Sequence, residues 1–243
     1  MKKIALLILA FLYFLPLVSH ASDVSLMPVT VKLDRMNDRA TVQVMNNGAE
    51  PVIMQAEAIA WNRVGGVDQD GPTNEIIVNP PVFTIKPGQT QIVRLGLRRN
   101  QELAQEGTYR MVLREVPGLN LSNVGNVGGS VRVLMALRVP IYVAPSKVVR
   151  DERWRLSQDA KGQMVASVSN TGNVHLKVGE LRMQGPKGET LVLASQQGPA
   201  AVIFPGEERS FPLRVAATPG QTPLLHAVTD LGLQQVAFAD SKP

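Results

Sequence analysis

Histidine is the side chain whose charge changes most readily near neutral pH, and the 243-residue chain has three: His20, His175 and His226. They are too widely spaced for a local metal or catalytic motif, and the two later ones read as surface or core histidines. Cysteine is absent, which excludes disulfides, thiolate metal centres and a cysteine nucleophile together. Asp68-Gln-Asp-Gly71 has the opening spacing of a calcium loop but lacks the third ligand and the distal glutamate. Lying between strands, it is expected to form a turn. Val124-Gly-Asn-Val-Gly-Gly129 has the glycine content of a phosphate cradle, yet a strand follows it rather than a helix N-terminus, so it reads as a loop. No G-x-S-x-G, H-E-x-x-H or S-x-x-K motif occurs. No catalytic centre, metal or cofactor is expected, and the chain reads as non-enzymatic.

The charge pattern excludes another class. The formal charge is +5, spread without a block of five like charges, and aromatics are 5% of residues. Nucleic-acid binding calls for a concentrated basic face and is not expected. A mild basic excess suits the capture of an acidic protein partner. Lys2 and Lys3 precede an apolar run from Ile4 to Val18, and Ser19-His20-Ala21 supplies a small-x-small cleavage site. That is the pattern of an export signal, and the run is short of the roughly 20 apolar residues of a membrane span. Residues 1–21 are therefore expected to be removed, leaving a soluble chain with no membrane insertion.

The elements that position the remaining residues are strands. Ala40, Val42 and Val44 share a face, as do Val93, Leu95 and Leu97, and Tyr109, Met111 and Leu113. Period-two alternation bounded by Gly, Pro and Asn marks half-buried strands, and many short strands point to an all-β sandwich. The pattern also repeats. Val42-Gln-Val-Met-Asn-Asn-Gly48 returns as Ala166-Ser-Val-Ser-Asn-Thr-Gly172, and Ile85-Lys-Pro-Gly88 returns as Ile203-Phe-Pro-Gly206. Landmarks in the same order predict two sandwiches of immunoglobulin size. Their junction is expected near Pro145, giving domains 22–145 and 146–243.

The run Val131 to Tyr142 is long for a strand, and Val131, Val133, Met135, Leu137 and Val139 put apolar side chains on one face. Pro140 cannot donate to a ladder, which favours an edge. Soluble proteins normally blunt a long apolar edge, so one that is kept implies a partner. Periodicity alone leaves a buried central strand equally open.

Taken in order, these landmarks resemble the periplasmic pilus-assembly chaperones of chaperone–usher systems. The resemblance is carried by Asn46-Asn-Gly48 with the strand reaching Trp61, Asn79-Pro-Pro-Val-Phe-Thr-Ile-Lys-Pro-Gly88, Gln91-Ile-Val-Arg-Leu95, Tyr109-Arg-Met-Val-Leu-Arg-Glu-Val-Pro117 and the strand ending at Tyr142-Val-Ala-Pro145. Val168-Ser-Asn-Thr-Gly172 and Thr229-Asp-Leu-Gly232 resemble features of that family's second domain. The resemblance implies two immunoglobulin-like sandwiches set at an angle. It also implies donor-strand complementation, in which the chaperone lends a strand to an incomplete pilus subunit and passes it to an outer-membrane usher. Fimbrial subunits and an usher are then the expected partners, the periplasm the expected location, and Val131, Val133, Met135 and Leu137 the donor residues. A structural or adhesive surface protein with two such domains is the alternative reading.

Members of that family hold the subunit's terminal carboxylate with two basic residues, at places filled here by Thr30 and Pro140. Lys32 and Arg138, each two positions away and so on the same strand face, become the candidate anchor, unless the chain belongs to a divergent branch. Glu115 and Asp230 match acidic positions of an interdomain network whose usual base is replaced by Ala144. Arg94, Arg114 and Lys147 are candidate replacements. Arg94 is preferred, on the expectation that its strand runs beside that of Glu115.

Overall fold

The computed structural model describes residues 23–99, 102–117, 133–184, 189–216 and 224–236. They form eighteen strands and one short 3-10 turn, Gly198–Ala201. The export-signal residues, the glycine-rich segment and Val131 lie outside the described residues. Among the described residues, no helix is long and apolar enough to cross a membrane.

The first sandwich faces two sheets together. One has the order β1 (Val24–Met27), β3 (Arg39–Asn46), β8 (Thr90–Leu97), β6 (Ile76–Asn79). The other runs β2 (Val31–Leu33), β10 (Ala136–Val143), β9 (Gly107–Val116), β4 (Val52–Val64), β5 (Val67–Pro72), with β7 (Val82–Ile85) also on β4. The alternation read from the sequence sets which residues turn inward. Val42, Val44, Val93 and Leu95 from one sheet meet Met54, Met111, Leu113 and Ile141 from the other, all fully or almost fully buried. Each such burial stabilises the fold by about 1.5–3 kcal/mol.

The second sandwich sets β11 (Glu152–Gln158), β12 (Gln163–Asn170) and β16 (Glu208–Ala216) against β14 (Thr190–Ser195), β13 (Leu176–Gln184), β17 (Leu225–Thr229) and β18 (Gly232–Gln235). The short strand β15 (Val202–Ile203) pairs with β13. Its core holds Trp154, Leu181, Ile203, Phe211 and Leu225.

Two buried asparagines explain the internal repeat. Asn46 Nδ2 donates to the carbonyls of Glu50 and Ile85 at 2.7 and 3.0 Å. Asn170 Nδ2 donates to those of Val174 and Ile203 at 2.9 and 3.0 Å. Each Oδ1 accepts the N–H two residues on, from Gly48 or Gly172. Each backbone carbonyl accepts from the glycine of the Ile-x-Pro-Gly turn, Gly88 or Gly206, at 2.8 and 2.9 Å. Those two glycines have φ of +69° and +80°, a conformation that a Cβ disfavours. So both landmarks of the repeat belong to one hydrogen-bonded knot, built once in each sandwich.

Two expectations change here. The apolar run is not strand throughout its described part: Val133–Met135 lie outside a strand and β10 begins at Ala136. Before it, Met135 stays beside β9: its carbonyl accepts the Glu115 N–H at 2.8 Å. Val133 is 81% exposed. The Asp68–Gly71 segment is not a turn. It forms most of β5, and Gly65-Gly66 makes the turn instead.

Candidate functional site

Strand β10 is neither fully central nor fully at an edge. It pairs antiparallel with β9 from Ala136 to Val143. On its other side β2 joins in parallel, but only at Ile141–Val143. Among the described residues, Ala136–Pro140 therefore have a strand neighbour on one side only. The predicted donor residues fall along this stretch and its extension. Val133 is exposed, Met135 is half-buried, and Leu137 packs against the sandwich core. Pro140, which has no N–H to donate, lies where the unpaired edge gives way to β2.

The face of this sheet turned away from the core carries charge. Its side chains include Arg63 and Trp61 on β4, Asp68 and Asp70 on β5, Arg110 on β9 and Arg138 on β10. Register brings them together: Pro140 lies opposite Arg110, Trp61 opposite Asp70 and Arg63 opposite Asp68. Arg110 is only 4% exposed, with its guanidinium carbon 3.9 Å from the centroid of the Trp61 ring. Desolvated cation–π contacts of this kind contribute about 2 kcal/mol. Arg110 Nη1 donates to Asp70 Oδ1 at 2.9 Å and Nη2 to Asp68 Oδ2 at 2.5 Å. Arg138 Nη1 donates to the other Asp70 oxygen. Burial works to raise the Asp68 pKa, but hydrogen bonds from Arg110 and Arg63, aided by Trp61, outweigh it and hold the carboxyl below its ordinary range. The Trp61 N–H acts there through proximity, because it makes no hydrogen bond of standard geometry.

Of the predicted anchor pair, Arg138 joins this cluster and Lys32 does not. Lys32 is exposed and lies opposite Tyr142. That is four strand positions from Arg138, roughly 13 Å along the sheet. The basic residue beside Arg138 is Arg110, on the neighbouring strand and opposite Pro140 itself. Sequence reading missed it, although its even-numbered place on an odd-faced apolar strand put it on the outer face.

A family model for the N-terminal domain of pili and flagellar-assembly chaperones, named for PapD, matches residues 23–149, more than half of the chain. The chain belongs to this chaperone family. Solved structures support the fold of the chaperone across both sandwiches. A chain from the CsuC–CsuE chaperone–tip adhesion subunit pre-assembly complex of the archaic Csu pili of Acinetobacter baumannii is 18% identical with a TM-score of 0.59, covering 88% of this chain and 96% of its own. The Escherichia coli chaperone DraB is 16% identical with a TM-score of 0.60, covering 90% and 97%. A chain from the Salmonella enterica SafA pilin–SafB chaperone complex is 14% identical with a TM-score of 0.61, covering 90% and 96%. No curated protein matches the sequence.

The interdomain network of the chaperone differs from the one expected. Arg94 is not beside Glu115. Its strand, β8, lies in the opposite sheet between β3 and β6, where Arg94 is exposed. Glu115 is buried, opposite Met54, with an oxygen 3.4 Å from the Met135 amide. Asp230 accepts from the Lys177 amide and lies 3.6 Å from Arg150. Tyr142, which feels the Asp230 charge, pairs with Thr108, seven residues from Glu115 along β9. Among the described residues no ion pair links Arg114 or Lys147 to either acid. Arg114 pairs with Glu57.

The two sandwiches meet instead through an aromatic cluster with polar bonds on its flanks. Trp61 and Tyr142 pack with Val202 and Phe204, and the Trp61 and Phe204 rings meet edge to face at 4.8 Å. Arg63 lies over Phe204 at 4.9 Å. It donates to the carbonyls of Val202 and Pro199 at 2.7 and 3.0 Å, to Glu207 at 3.0 Å and to Asp68 at 2.8 Å. His175 stacks on Tyr142 at 3.8 Å, and its Nδ1 lies 2.8 Å from Glu106, whose carboxylate also accepts the His175 N–H. Burial and the Glu106 charge push the Tyr142 phenol well above its ordinary pKa. His175 is therefore buried, one of the two settings expected for it, and is the interdomain partner of Glu106. His226 stays half-buried on β17, opposite Gln235.

Proposed function

We propose that this chaperone works in the bacterial periplasm, exported by the segment 1–21, and that it holds pilus subunits by lending them the β10 edge until an outer-membrane usher takes them. The domains are proposed as 22–145 and 146–243. A subunit lacking a strand exposes both core and an unpaired edge, which favours aggregation. One lent strand covers both, through main-chain hydrogen bonds and alternating side chains. The observation carrying this reading is the stretch from Val133 to Pro140: a largely apolar segment with Val133 in solvent and, among the described residues, a strand neighbour on one side only. Arg138 with Arg110, rather than Arg138 with Lys32, is the proposed anchor for a partner's carboxylate.

The experiment is periplasmic co-expression of the chaperone with a pilus subunit that lacks its last strand. The wild type should yield a soluble one-to-one complex. Val133→Asp and Met135→Asp should fold yet fail to protect the subunit, because each places an unpaired charge in the subunit's groove. Full protection by both variants would remove the donor assignment. A polymer of this chain alone would favour a structural role.

A further inference from the structure

Asp70 holds two arginines at once. One oxygen takes Arg110 and the other takes Arg138, a bridging geometry that suits planar guanidinium groups. Asp68, on the same face of β5, takes the second Nη of Arg110. Arg110 is flattened on Trp61 and nearly buried, so it cannot swing out to meet a ligand. Any anion that binds it must come to where Asp70 now lies. The strand carrying Asp70 is tied to Arg63 and Arg110 through Asp68, but its backbone is less constrained. Among the described residues β5 pairs only with β4, and it follows a turn of two glycines, Gly65 and Gly66, both at positive φ. A cationic pair with one fixed member, Arg110, thus faces a carboxylate on a strand paired from one side.

We infer that Asp70 is a built-in competitor at the Arg110–Arg138 pair: in the free protein it occupies the position a partner's carboxylate would take, and binding exchanges one carboxylate for the other. This rests on the function proposed above, which brings a partner strand along β10 towards that pair. Two guanidinium groups left side by side without an anion repel each other and lose hydrogen bonds, so the resident carboxylate stabilises the unliganded face. An incoming carboxylate then gains only the difference between the two sets of bonds. The pair therefore discriminates more than it attracts. A strand without a carboxylate leaves Asp70 in place, whereas one ending in a carboxylate at the right register displaces it.

The test uses the purified full chain and one strand-length synthetic peptide of alternating apolar and polar residues, made with a free C-terminal carboxylate and again with a C-terminal amide. Affinities are read by calorimetry for the wild type, Asp70→Asn and Arg138→Ala. Asp70→Asn keeps the size of the side chain and leaves Asp68 on Arg110, and Arg138 is half-exposed, so both variants should keep the wild-type circular dichroism. Asp70→Asn should tighten the free-acid peptide by about fivefold and leave the amide within about twofold. Arg138→Ala should remove the preference for the acid. If the wild type binds both peptides alike and Asp70→Asn changes neither, or changes both equally, the competitor is refuted while the donor edge stands. Binding of neither peptide by any form removes the donor-edge reading, and the competitor with it.

Discussion

Arg63 is 3% exposed along its side chain, and its charge is tolerated because Asp68, Glu207 and two carbonyls surround it. Arg63→Met keeps the apolar stem over Phe204 but leaves those acceptors short of a donor. Removing one partner from a buried ion pair costs about 3–5 kcal/mol, and urea unfolding followed by tryptophan fluorescence should report a loss of that size. Asp68 supplies the pH dependence of the same cluster. Its folded pKa lies below the ordinary 3.8, so its stabilisation is complete above that value. The stabilisation is lost as pH falls through the lower folded value. Melting temperature should therefore hold steady down to about pH 4 and then fall. Asp68→Asn should have a lower plateau and a shallower acid fall. A parallel curve for the variant would show that Asp68 does not carry the effect. None of this was legible in the sequence. Arg63, Asp68, Arg110 and Glu207 come from four strand regions, and only register makes them neighbours.

Strands were far more legible than the residues that bond between them. Alternation depends on a two-residue period, so Val42, Val93 and Met111 could each be placed on the apolar face of a strand before any pairing was known. The Asn-x-Gly and Ile-x-Pro-Gly echoes were legible because a buried asparagine and a positive-φ glycine constrain residue type directly. That their two turns bond to each other was not. Asn46→Ala orphans one buried and one part-buried carbonyl and Asn170→Ala two buried ones, at about 1–3 kcal/mol for each buried carbonyl. The two variants should show similar losses in chemical unfolding, because the knot is the same. Strand limits were harder to read. Val133 and Val139 look alike in the alternation, yet one is 81% exposed and the other 1%. Val133→Asp should thus leave the melting temperature almost unchanged, whereas Val139→Asp should prevent folding. Comparing soluble yields after periplasmic expression checks both, and equal yields would contradict the burial difference.

At the scale of the whole molecule, the decisive feature is that two separate cores meet through a buried aromatic cluster. Residues of the first core run from Val31 to Val143 and those of the second from Trp154 to Val236, so each sandwich has the means to fold independently. Between them lie Trp61, Tyr142, Val202 and Phe204. Arg63 reaches across on one flank and the Glu106–His175 pair on the other. The backbone joining the sandwiches is also tied down. Asn173 Nδ2 donates to the carbonyls of Ala104 and Lys147, and a Cβ on Gly172 would lie 2.5 Å from the Val149 carbonyl. Interdomain motion is the default where an interface is small and polar, but this one buries rings and satisfies its charges internally. The wild type should therefore unfold in a single calorimetric transition. The ring stack and the two polar bonds act on the same coupling, so removing one bond should broaden the transition and removing both should split it. Arg63→Ala combined with His175→Ala is expected to give two transitions, one for each sandwich, with the core of each intact by circular dichroism before heating. His175→Phe retains the stack on Tyr142 but loses the bond to Glu106, and should lie between the wild type and the double variant. Two well-separated transitions in the wild type would show that the contact does not couple the sandwiches. A single transition in the double variant would show that the rings alone do.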